Sequence, residues 1–222
     1  MRKILIAAAT VVVAGLGLVC FVFLKPALTG IPTVNSEKEF NTKSRELVLS
    51  SGWNKNATSL YSGCYKGIHE GKYNENYNSR CSRVAANIMS FNGDFKSELL
   101  KFENSLTDNN WQLGSSTPSN EVRSISEFIS NEFNADEPIS NIPPMRLMYS
   151  LDGISLSMHF YQKGDTHIDN LTSRLNRTDN PGSTGVALSP ITTFDATEVI
   201  DRIYKTDRYI VMLKFQQHYD QK

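Results

Sequence analysis

Apolar residues are unevenly distributed along the chain. From Ile4 to Leu24 they run for 21 positions without a charge, between Arg2-Lys3 and Lys25-Pro26. A helix of that length rises roughly 30 Å, the thickness of a bilayer's hydrocarbon core. The run exceeds the apolar stretch of a secretory signal, and no good small-x-small cleavage site follows it. Residues 1–25 therefore read as an uncleaved signal anchor, a single-pass transmembrane helix. Arg2 and Lys3 stay cytoplasmic, and the bulk of the chain lies outside the cytoplasm. Cleavage after the segment would instead make the protein secreted. Cys20 reads as a small apolar residue within the span. Residues 26–36, with Pro26, Gly30 and Pro32, read as a linker. Residues 37–222 are then left as one domain.

Within that domain the apolar spacing switches between helical and strand periods. The stretch SEKEFNTKSRELVLSSG places Phe40 and Leu47 seven apart and has acids in its first turn, which predicts a helix. In DFKSELLKFENSLTDNN, Phe95, Leu99, Phe102 and Leu106 step by four, three and four and so share one face. Asp94 is placed to cap that helix, Asn109-Asn110 to end it, and Trp111 to fold back onto it. EVRSISEFISNEF predicts another helix, with Val122, Ile125, Ile129 and Phe133 on one side. In FDATEVIDRIY, Asp195 and Glu198 have capping-box spacing, and Phe194 and Val199 occupy hydrophobic-staple positions.

Strand periods appear in TSLYSGCY, in CSRVAANIMSF and in RYIVMLKFQQH, where Tyr209, Val211, Leu213 and Phe215 alternate. The strongest strand text is MRLMYSLDGISLSMHFYQ. A two-residue turn at Asp152-Gly153 opposes Leu151 to Ile154, Tyr149 to Leu156, Leu147 to Met158 and Met145 to Phe160. The same register puts Arg146 against His159, Met148 against Ser157 and Ser150 against Ser155, so both faces agree. Residues 163–190 are polar and rich in turn formers. The fold class is α+β: an antiparallel sheet of about five strands in local hairpins, with helices packed on one face. Regular βαβ alternation is missing, which argues against a Rossmann-type or barrel fold.

Charge narrows the partners. The chain has 23 basic and 23 acidic residues and no basic stripe, so a nucleic-acid partner is not expected. Sequons occur at Asn56, Asn170 and Asn176. With 19 Asn and 39 Ser plus Thr in 222 residues, about three arise by chance, so they say nothing about glycan use.

Outside the anchor one cysteine pair remains, Cys64 and Cys81. An extracytoplasmic compartment permits a disulfide, which would close a loop of about 17 residues and contribute roughly 3 kcal/mol. Zinc would need two more ligands, and no second motif supplies them. The enclosed loop is rich in Tyr, Asn, Gly and charge. Tyr65, Tyr73 and Tyr77, with His69 among them, have the composition of a recognition surface. The plainer alternative is a polar loop stapled for stability.

Catalytic patterns fail on inspection. His69-Glu70 begins a zinc-protease motif, but Tyr73 stands where the second histidine belongs. Asp165, His167 and Asp169 alternate and could face a divalent metal together, yet polar loops commonly carry such residues, and no metal or other cofactor is assigned. There is no G-x-S-x-G and no S-x-x-K. The expected function is non-catalytic binding of a protein, peptide, glycan or envelope polymer by a membrane-anchored domain. The alternatives are an envelope hydrolase using carboxylates or an unrecognised triad, and a structural or assembly component.

Overall fold

The computed structural model describes residues 36–65, 79–115, 121–142, 147–164, 189–192 and 194–221. The expected anchor, and all but the last residue of the expected linker, lie outside them. Among the described residues no helix is long and apolar enough to cross a membrane.

Seven strands form one antiparallel sheet. In chain order they are β1 (Asn54–Tyr65), β2 (Ser79–Phe91), β3 (Gln112–Leu113), β4 (Met148–Leu151), β5 (Ile154–Gln162), β6 (Ser189–Thr192) and β7 (Tyr209–Gln221). In space they lie in the order β3-β4-β5-β7-β2-β1-β6. The sequence suggested about five strands. The two extra ones are the shortest edge pieces, β3 and β6, too short to show a period. The hairpins β1–β2 and β4–β5 are local, as expected, but the centre is not. There β7 pairs with both β2 and β5, so the latest strand in the chain occupies the middle.

Four α-helices accompany the sheet: α1 (Ser36–Ser50), α2 (Phe95–Asp108), α3 (Ile125–Asn131) and α4 (Ala196–Ile203). They do not all pack on one face, and the strand period shows why. Ala85, Met89, Phe91, Val211, Leu213 and Phe215 point into a core with Leu47 of α1, Phe102 of α2 and Phe128 of α3. The intervening Ala86, Ile88, Ile210 and Met212 point the other way, onto Val199, Ile200 and Ile203 of α4. A central strand whose two faces are both apolar must be covered twice, because either face left open would expose it to water.

Local signals explain most boundaries. Asp94 accepts the Ser97 amide at 3.0 Å and its hydroxyl at 2.7 Å, and these bonds hold the Asp94 carboxyl below its usual pKa. Asn109 caps the far end of α2, Asn110 turns with φ 60°, and the Trp111 amide returns to Leu106 O at 2.9 Å. In α3 the cap is Ser124, in a reciprocal capping box with Glu127. The helix is therefore shorter than its apolar spacing suggested, and Val122 precedes it. Asp195 caps α4 by accepting from Glu198 N, and Phe194 packs against the α4 cluster that holds Val199. The hairpin turn has positive φ at both Asp152 (50°) and Gly153 (79°). Its register pairs Leu151 with Ile154, Ser150 with Ser155, Tyr149 with Leu156 and Met148 with Ser157, as the sequence required. Met145 and Arg146, also assigned to that hairpin, lie outside the described residues.

Candidate binding surface at the disulfide end of the sheet

The long β1–β2 hairpin carries the cysteine pair near its Tyr65–Ser79 end. Cys64 lies directly opposite Cys81 in the register. Their sulfurs are bonded at 2.05 Å, with Cα atoms 4.0 Å apart. The expected disulfide is thus a cross-strand bond one pair in from the Tyr65–Arg80 end of the hairpin. Cys81 is fully buried and Cys64 exposed.

Residues directly opposite in an antiparallel pair share a face. Register therefore lays out a patch on the side that carries α1 to α3. One row holds Cys64, Cys81 and Tyr219; the next holds Ser62, Arg83, Gln217 and Ile154. Farther along β2 the same face becomes Ala85, Asn87 and Met89, where the helices cover it. The patch is the polar margin of an otherwise apolar face. Arg83 and Gln217 are both buried, and the Arg83 guanidinium stacks on the Tyr219 ring, 4.1 Å from its centroid. On the reverse face Ser82 is buried too, between Gly63 and His218 in register. The Oγ of Ser82, Nη1 of Arg83 and Oε1 of Gln217 are buried without a hydrogen-bond partner. These three sit in neighbouring positions of two adjacent strands.

The residues singled out in the sequence fall unevenly on this picture. Tyr65 ends β1, opposite Arg80. His69, Tyr73 and Tyr77 lie outside the described residues, as do Asp165, His167 and Asp169. Among the described residues no three His, Cys, Asp or Glu side chains gather closely enough to hold a metal. His159 is half-buried in β5, opposite Met212. His218 is exposed, its Nε2 3.2 Å from the Gln216 amide nitrogen. Arg83 and Gln217 were not singled out. In CSRVAANIM an arginine two positions after a cysteine reads as a solvated residue, and only the register reveals its face.

A groove of about 240 Å³ lies elsewhere, between the end of α3 and the short 3-10 turn at Ile139–Asn141. Phe128, Phe133 and Ile142 line it, and Glu132 and Glu137 are its carboxylates. Glu132 accepts from Arg123 Nε at 2.7 Å, and Glu137 is exposed, 3.4 Å from the Asn134 amide. These contacts tie Arg123, ahead of α3, to the C-cap of the helix and brace the loop after it; they do not assemble an acid and a base around a common point.

Comparison of the chain with protein-family models, with curated protein sequences and with solved structures returns no match.

Proposed function

We propose that the chain is a membrane-anchored, extracytoplasmic binding module without a catalytic role, which engages a protein, peptide or envelope polymer through the disulfide end of its sheet. The Cys64–Cys81 bond carries this reading. A disulfide joining two long strands fits an oxidising compartment, and it accords with the 21-residue apolar run that precedes the domain. The segment between the two cysteines contains Tyr65, Tyr73 and Tyr77, a residue type suited to large contact area at low entropic cost. The balanced charge of the chain favours partners other than nucleic acid.

Thiol labelling of the full chain in its native membrane, followed by mass spectrometry with and without reductant, tests the reading. Protection of both cysteines until reduction is expected. Two freely labelled cysteines would place the domain in a reducing compartment and overturn it. Crosslinking from Tyr73 or Tyr77 to a specific neighbour is expected in the same membranes.

A further inference from the structure

Between β2 and α2 the chain turns through Asn92, Gly93 and Asp94, and all of them are exposed. Asn92-Gly93 is the one Asn-Gly pair in the sequence. Among the described residues no hydrogen bond engages the Asn92 carboxamide or the Gly93 amide. Crowding dictates the glycine. A Cβ at residue 93 would stand 2.9 Å from Glu98 Oε1 and 3.0 Å from its Cγ. Glu98 is itself held, accepting from Trp53 Nε1 at 3.2 Å and from Lys101 Nζ at 2.6 Å. A residue without a side chain therefore fits best here.

Other asparagines are tied down. Asn109 donates to Ser105 O at 2.7 Å, and the amide that follows it, Asn110 N, donates to Thr107 O at 2.9 Å. Asn87 is buried within β2 and accepts from Thr58 Oγ1 at 2.8 Å. Asparagine is thermolabile because the following amide nitrogen can attack its side-chain carbonyl. The attack needs an unengaged carboxamide, an amide without an acceptor, and no side chain shielding that nitrogen. Asn92-Gly93 meets all of these conditions.

We infer that Asn92-Gly93 is a site of spontaneous modification, where the chain converts to aspartyl and isoaspartyl forms, and that the isoaspartyl form loosens the joint between β2 and α2. Gly93 N loses its proton to hydroxide and bonds to Asn92 Cγ. The Cγ–Nδ2 bond breaks, and the departing nitrogen takes a proton from water and leaves as ammonia. Water then opens the cyclic imide. Attack at Cγ breaks its bond to Gly93 N and restores the main chain with an aspartate. Attack at the main-chain carbonyl breaks the original peptide bond, so the chain continues through Cγ and gains a methylene. Nothing is oxidised or reduced. The chemistry needs only water, so it proceeds whatever compartment or partner the domain has. The added methylene falls between Phe91 and Phe95, whose rings stack at 6.3 Å in the core, and just ahead of the Asp94 cap.

The full chain in detergent micelles is aged in neutral and in mildly alkaline buffer, digested with trypsin and followed by mass spectrometry. The tryptic peptide 84–96 holds both Asn87 and Asn92, so fragment ions compare them within one molecule. Conversion at Asn92 is expected to be severalfold faster than at Asn87 or Asn109, faster again in the alkaline buffer, and to give two separable products of equal mass. Gly93→Ala should slow it severalfold, and Asn92→Ser should remove it. Circular dichroism checks the fold of each variant. Should Gly93→Ala not fold, the comparison among the wild-type asparagines decides. Urea unfolding reads the consequence. Aged wild type should unfold at lower urea than fresh Asn92→Asp, which carries the charge without the methylene, while aged Asn92→Ser keeps the midpoint of its fresh form. Conversion at Asn92 no faster than at Asn87 and Asn109, or an unchanged rate in folded Gly93→Ala, would overturn the site. Equal midpoints for aged wild type and Asn92→Asp would overturn the loosening.

Discussion

Tyr149 accepts the amide of Ile125 at 3.1 Å, so a side chain of β4 supplies an acceptor to the first turn of α3. Its own hydroxyl donates to Glu103 of α2 at 3.3 Å, and Glu103 in turn accepts the Ser126 amide at 3.1 Å. One phenol thereby joins three segments that are distant in sequence. Burial raises its pKa above the usual tyrosine range; the Ile125 amide opposes that shift, and the Glu103 charge adds to it. An unfolded tyrosine ionises near pH 10. Above that pH the unfolded chain releases this proton while the folded chain retains it, so the unfolded state gains. The contribution is complete below about pH 10 and is lost as pH rises toward the folded pKa. Urea unfolding between pH 7 and 11 should show stability falling above pH 10. Tyr149→Phe should cost about 1–2 kcal/mol at neutral pH and flatten the alkaline fall. An unchanged pH profile in the variant would contradict this account.

Asn56 sits where the β1–β2 register slips between Lys55 and Ala57. As the extra residue of a bulge, its side chain is re-aimed. Its amide donates to Ser90 Oγ at 2.8 Å and to Asn54 O at 3.0 Å, while Ser90 donates to Asp207 and Asn54 donates to the same carboxylate. The hydroxyl of Thr58, the third residue of that sequon, is committed to Asn87. Asn56→Ala should destabilise by about 1–2 kcal/mol in urea unfolding, because both side-chain bonds of the bulge are lost. Ser90→Ala should destabilise by about 1–3 kcal/mol, because two partners lose their contact at a fully buried position.

The disulfide closes a separation of 17 residues. In the chain-entropy model its loss costs roughly 3 kcal/mol. The Cys64→Ser, Cys81→Ala double variant should unfold at correspondingly lower denaturant. Reductant should lower the midpoint of the wild-type protein and leave that of the double variant unchanged.

Gly153 has φ +79° and open space where a Cβ would project. A substitution there meets backbone strain and no clash. Gly153→Asn, which tolerates the left-handed region, should cost less than about 1 kcal/mol, and Gly153→Val clearly more. Equal melting temperatures for the two variants would show that the turn relaxes.

The elements read most reliably from sequence were those whose evidence is local. The four-three-four spacing in α2, the caps Asp94 and Asp195, and the β4–β5 register each depend on residues within one short window. What was missed depends on partners far along the chain. The alternation of Tyr209, Val211, Leu213 and Phe215 marks a strand but does not show what covers its other side. Ile210 and Met212 between them carried the matching signal that the strand is buried on both sides. That signal implies a helix on the second face, and α4, with Val199, Ile200 and Ile203 on one side, supplies it. Arg83 was invisible for a related reason. Its burial comes from Phe40, 43 positions earlier, and from a strand more than 120 positions later. His69, Tyr73 and Tyr77, between Cys64 and Cys81, are candidates from sequence alone.

The seventh strand in the chain fills the fourth place in the sheet. A chain that emerges in order from its N-terminal side can form the β1–β2 and β4–β5 hairpins early, but β2 and β5 then wait with unsatisfied edges. Joining the two halves requires Tyr209–Gln221, so the sheet closes through contacts of long sequence separation, which slows folding. Until then the nascent domain carries two open strand edges of the kind that template aggregation. A chaperone acting on this protein would have its task in that interval, masking β2 and β5 until the strand that belongs between them arrives.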